Sequence, residues 1–82
     1  MRLPRDLSGA ELTKLLAKYE YRATRQTGSH LRLTSTLKGK EHHITIPKHS
    51  PLKIGTLSSI LTEVAEYLKK DKKDLLSELF RQ

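Results

Sequence analysis

The 82-residue sequence predicts an α+β fold of order α-β-β-β-α. In it a three-stranded antiparallel sheet carries helices on one face, and a short further helix follows at the C-terminal end. Three observations predict this. Apolar residues recur at helical spacing near both ends of the chain, the period changes to two between them, and glycines fall where the alternating stretch must reverse.

The first helix spans about 9 to 19. Ser8 followed by Glu11 fits a capping box, and Leu7 with Leu12 fits the accompanying hydrophobic staple. Leu12, Leu15, Leu16 and Tyr19 then form one apolar stripe. In the middle of the chain, Leu31, Leu33, Ser35 and Leu37 alternate with His30, Arg32, Thr34 and Thr36, and His42, Ile44 and Ile46 alternate with His43 and Thr45. A two-residue turn at Lys38-Gly39 would set Leu33 opposite Ile44 and Leu31 opposite Ile46, so that apolar meets apolar on one face. Arg32 opposite Thr45 and Thr34 opposite His43 would share the other face.

A preceding strand over about 20 to 26 contains Tyr21 and Ala23. A two-residue turn at Thr27-Gly28 would put both on the polar face. A three-residue loop, Gln26-Thr27-Gly28, would instead pair Ala23 with Leu31 and Tyr21 with Leu33, bury the tyrosine ring and place Gly28 at a positive-φ bulge position; this is the preferred register. The last long helix begins after Gly55 with Thr56 as cap, and its apolar set is Leu57, Ile60, Leu61, Val64, Ala65 and Leu68. A shorter helix follows Asp71, with Leu75, Leu76, Leu79 and Phe80 apolar. The length leaves room for one domain over 1–82, with a core over about 8–68 and a helical extension over about 71–80.

Composition narrows the classes of function. Hydrophobic residues make up 35% of the chain with no Trp and one Phe, so the core is aliphatic. The absence of cysteine excludes disulfides and thiolate metal sites. No apolar run is long enough for a bilayer span, and the N-terminal residues lack the apolar stretch of a signal peptide, so a cytoplasmic domain is expected. The net charge is +7 with an isoelectric point near 9.9, in the range of nucleic-acid binders. Between Tyr21 and Thr56 stand Arg22, Arg25, Arg32, Lys38, Lys40, Lys48 and Lys53, opposed by Glu41 alone, and all four histidines lie in the same stretch.

In this layout His30 opens the second strand on the solvent face, with Arg32 two residues along and Arg22 across from Arg32. The Pro47-Lys48-His49 segment begins opposite the start of that strand, which would bring Lys48 and His49 near His30. Such a set suits hydrolysis of RNA without a metal ion or other cofactor. The 2′-hydroxyl must lose a proton, the 5′-oxygen must gain one, and a cation must balance the phosphorane charge; histidine performs either transfer, and Arg or Lys supplies the cation. A surface hydrogen-bonding role for His30 is the simpler alternative. His42 falls on the core-facing parity and reads as structural, His43 as exposed, and His49 as a loop cap. The histidines do not form a zinc set, since His42 and His43 point to opposite faces of a strand and no HxxxH or HExxH spacing occurs.

Three strings converge on a known family. Arg25-Gln26-Thr27-Gly28-Ser29-His30 resembles the Arg-x-x-Gly-Ser-His element of HicA toxins. Ile44-Thr45-Ile46-Pro47-Lys48-His49 is similar to their strand ending in Pro-x-His, and Gly55-Thr56-Leu57 with Ile60-Leu61 is similar to the start of their second helix. The resemblance spans roughly 8–68. It implies a double-stranded-RNA-binding-domain-like fold, an endoribonuclease that cleaves messenger RNA, and a HicB antitoxin partner that blocks the active site. It also implies that His30 is the catalytic histidine, presented by Gly28 and Ser29, with His49 in a supporting role of substrate binding or second proton transfer. Arg22, Arg25, Gly28, Ser29, Arg32, Lys48 and His49 are the expected RNA-binding residues. The Met1 to Leu7 extension and the Asp71 to Gln82 tail depart from the commonest members. The competing readings are a non-catalytic double-stranded-RNA-binding module, disfavoured because the last long helix starts without a lysine cluster, and a helper protein whose basic face docks an acidic partner.

Overall fold

The computed structural model describes residues 3–80; Met1 and Arg2 of the N-terminal extension and Arg81 and Gln82 of the tail lie outside them. The order is α1 (Gly9–Leu16), a single 3₁₀ turn (Ala17–Tyr19), β1 (Arg22–Thr27), β2 (His30–Ser35), β3 (His42–Pro47), α2 (Ile54–Leu68) and α3 (Lys72–Phe80). The strands form one antiparallel sheet of order β1-β2-β3. This is the double-stranded-RNA-binding-domain-like α-β-β-β-α arrangement, with α3 added.

The capping box forms as expected. Ser8 N donates to Glu11 Oε1 at 2.9 Å, and Glu11 N donates to Ser8 Oγ at 3.1 Å. Helix α1 then buries Leu12 and Leu16, while Leu33, Ile44 and Ile46 meet them from the sheet and Leu57, Leu61 and Val64 from α2, all within one core cluster. Because side chains alternate along a strand, the same registration that buries these residues leaves His30, Arg32, His43 and Thr45 on the solvent face. Helix α3 extends the core with Leu75, Leu76 and Leu79. Its Lys72 Nζ donates to Ser58 Oγ and Thr62 Oγ1 of α2 at 2.7 and 2.9 Å.

The β2–β3 register is the expected one, with Leu33 opposite Ile44 and Leu31 opposite Ile46. The expected two-residue turn between them does not form. Both strands end earlier, and residues 36–41 make a loop in which Leu37 is 41% exposed. Ser35 stops the ladder: its buried hydroxyl donates to the Tyr19 carbonyl and accepts from the Leu37 amide. Tyr67 of α2 holds the loop, its hydroxyl accepting from Lys38 N at 3.0 Å and donating toward the carbonyls of Lys40 and Ser35.

Neither register considered for β1 is found. Thr27 pairs with His30, Gln26 with Leu31 and Arg25 with Arg32, so the turn is Gly28-Ser29; beyond a bulge at Thr24, Ala23 pairs with Leu33 and Arg22 with Thr34. Gly28 has φ +57° at the first central position, where a II′ hairpin turn calls for glycine. Carried straight through, that tight turn would direct Tyr21 to solvent. The bulge inserts one residue and reverses the parity, and Tyr21 is buried at 2% exposure. Ala23, expected inside, is exposed like every residue of β1, which packs mainly on β2, whereas β3 packs also on α1 and α2. The start of α2 also differs. Leu52 is buried and donates its amide to the Leu7 carbonyl, which sets Lys53 in extended backbone as the N-cap, three residues before Thr56.

Candidate active site

The Gly28-Ser29 turn makes His30 the first residue of β2, paired with Thr27 on one side and Pro47 on the other. Residues on the solvent face form three rows across the sheet, about 7 Å apart because each row lies two residues further along the strands. The first row holds Thr27 and His30, the second Arg25, Arg32 and Thr45, and the third Arg22, Thr34 and His43. Arg22 therefore stands opposite Thr34, not across from Arg32 as its expected register had it. The Gly28-Ser29 turn is the cause, since it carries β1 further along β2 than the expected loop, and the bulge then keeps Arg22 on the solvent face and adds Thr24 to it.

Between the first two rows lies an open depression of about 240 Å³ lined by Arg25, Thr27, His30, Arg32 and Thr45. All five are exposed. Arg25 and Arg32 are direct cross-strand partners, an arrangement of like charges that costs the sheet stability. No carboxylate relieves it: among the described residues the ion pairs are His43 with Glu41 and Lys70 with Glu78. The depression is thus a place where two guanidinium groups are held together and left free for an anion, with an imidazole beside them. Thr27 was missed in the sequence because the three-residue loop register placed it outside the strand.

The structure brings Lys48 to the turn through its backbone, Lys48 N donating to the Ser29 carbonyl at 2.6 Å. The His49 carbonyl accepts from Gly9 N at 3.0 Å, so this residue is anchored on the start of α1, and its exposed side chain does not line the depression. Gly9 itself had no signal in the sequence beyond its place after a cap. A Cβ there would collide with the Pro47 carbonyl oxygen, so the close approach of α1 to the end of β3 requires glycine.

The remaining histidines are occupied. His42 Nδ1 is 2.6 Å from the Tyr21 hydroxyl, and its ring stacks on Tyr67 with centroids 4.7 Å apart. Burial holds its pKa below the ordinary histidine value, against the opposing pull of Glu63. Burial likewise pushes the Tyr21 phenol up. His43 Nδ1 lies 2.8 Å from Thr34 Oγ1, and Nε2 lies 3.3 Å from Glu41 Oε1. Among the described residues no three His, Asp or Glu side chains are grouped as a metal-ligand set.

Comparison with protein families finds one that covers this site. Residues 9–65 match the family described as the HicA toxin of bacterial toxin-antitoxin systems, a span that takes in most of the chain and both the Gly28-Ser29-His30 turn and the Pro47-Lys48-His49 segment. The chain belongs to the HicA toxin family. It is accordingly the toxin of a toxin–antitoxin pair and implies an antitoxin partner. Helix α3 lies beyond the matched residues. Neither the curated proteins nor the solved structures yielded a match. Among the described residues no helix is long and apolar enough to cross a membrane.

Proposed function

We propose that this HicA toxin is an endoribonuclease that cleaves messenger RNA in the cytoplasm without a metal ion, with His30 as its catalytic residue. The observation that carries the reading is the pair of unneutralised arginines, Arg25 and Arg32, held beside His30 in an open depression. A phosphodiester seated there has its charge met by the guanidinium groups. His30 takes the proton of the 2′-hydroxyl as that oxygen attacks the adjacent phosphorus. The imidazolium returns the proton to the 5′-oxygen as the phosphorus–O5′ bond breaks, leaving a 2′,3′-cyclic phosphate and a free 5′-hydroxyl. The arginines stabilise the extra negative charge of the phosphorane more than that of the ground-state diester, which is the source of rate enhancement.

Gly28 and Ser29 present His30, while Lys48 and His49 flank the path of the strand at the end of β3 and Arg22 lies at its far end. An antitoxin of the HicB type is the proposed inhibitor. A partner with an acidic surface would cover the open basic face and remove both the anion site and access to His30. The test is incubation of labelled RNA with the purified chain, with and without EDTA. Cleavage that persists in EDTA supports this chemistry. Loss of cleavage in EDTA contradicts it, and binding without cleavage favours a non-catalytic module.

A further inference from the structure

The same sheet face carries a second depression that the chemistry above does not use. It measures about 280 Å³ and is lined by Glu20, Arg22, Thr24, Thr34 and Thr36. Thr34 lies four residues along β2 from His30, so this depression is centred about 13 Å from the catalytic row. That distance is too great for any of its groups to touch the phosphodiester cleaved beside His30. Its chemistry is nevertheless that of a nucleotide. Arg22 is exposed and among the described residues forms no ion pair, Thr24 and Thr34 share a hydrogen bond of 2.9 Å, and Glu20 adds an acceptor-only group on the rim.

Resting on the ribonuclease reading, we infer that this depression is a second nucleotide subsite, through which the toxin holds an unpaired RNA strand running along β2. Arg22 takes a phosphate of that strand, and the threonine hydroxyls and Glu20 contact a base edge or ribose hydroxyl. The row of Arg25 and Arg32, which walls the first depression, lies between His30 and the second depression, so one backbone running along β2 meets this arginine pair and then Arg22, the arrangement by which single strands are tracked. A paired duplex does not fit the polar set. Its base edges are not offered to a flat sheet face, and the Glu20 carboxylate would repel a second phosphate backbone.

The test uses the His30→Ala chain, so that binding is read without cleavage. Fluorescence anisotropy measures its affinity for a labelled unpaired strand long enough to cross both depressions, for a dinucleotide, and for a duplex, at several salt concentrations. Adding Arg22→Gln is expected to weaken binding of the long strand by about tenfold or more, the loss of one charged hydrogen bond, with a far smaller effect on the dinucleotide. The slope of log affinity against log salt should fall by about 0.7, the value for one phosphate contact on a single strand. Thr34→Val should weaken the long strand without altering that slope. Equal losses for the dinucleotide and the long strand, no loss for either, or a duplex that binds as well as the unpaired strand would overturn the subsite. So would an Arg22→Gln effect confined to antitoxin binding. If the parent chain cleaves no RNA yet binds the long strand through Arg22, the catalytic reading fails and the subsite stands.

Discussion

Among the described residues Arg25 and Arg32 face each other on adjacent strands with no ion-paired carboxylate, and the cost of that contact falls on the fold while, in the proposed function, its benefit falls on the RNA phosphate. Replacing Arg25 with Thr, a good strand former, is therefore expected to raise stability by about 0.2–1 kcal/mol in urea denaturation. The same change should weaken RNA binding by about tenfold or more. Gly9 illustrates the opposite balance. Gly9→Ala drives a methyl group into the Pro47 carbonyl and should cost about 1–3 kcal/mol, because the backbone of Pro47 to His49 must move. His42 makes stability depend on pH. Its folded pKa lies below the ordinary value of 6.5, so the unfolded chain binds the more protons; stability is complete above about 6.5 and is lost as the pH falls through that value toward the folded pKa. In acid titrations of thermal stability, His42→Gln should flatten this decline, and an unchanged decline would remove His42 as its source.

At the level of elements, legibility followed how unequal the two faces of each segment are. β2 and β3 alternate apolar with polar residues, so their register could be read directly, since a slip of one residue would expose Leu33 and Ile44. β1 offers no such contrast: every residue from Arg22 to Thr27 is exposed, and a bulge leaves no mark in a polar strand. The burial of Tyr21 was foreseen correctly although the register that achieves it was not. Helix α1 carried its start in its capping residues. Helix α2 did not, because its first turn is set by the anchoring of Leu52 on Leu7, a contact between segments far apart in sequence. Helix α3 lies outside the family span yet is bound to the core through Leu75, Leu76 and Leu79, through Lys72 on α2, and through Glu78, which accepts from Tyr19 and pairs with Lys70 at 2.7 Å. Truncation before Lys72 should lower the melting temperature, by roughly 4–8 °C for each kcal/mol lost. A truncated chain that melts with the full one would show that α3 contributes nothing to the fold.

For the molecule as a whole, function follows from putting the helices on one face of the sheet and leaving the other to solvent. The positive charge of the middle third of the chain then becomes a surface: β1 and β2 place Arg22, Arg25 and Arg32 on the open side, while His30, the proposed catalytic residue, sits at one end of it. The composition pointed to a polyanion partner, and the Gly28-Ser29-His30 string pointed to chemistry at that end of the sheet. Which β1 residues join each row was not legible, because that depends on the turn and the bulge. The most direct measurement is the rate of cleavage of a labelled RNA by the His30→Ala chain beside the unaltered chain, with circular dichroism showing that both are folded. Loss of about 10²- to 10⁴-fold in rate, the usual contribution of a positioned acid–base group, is the expected result. Cleavage by folded His30→Ala at the unaltered rate would remove His30 from the mechanism.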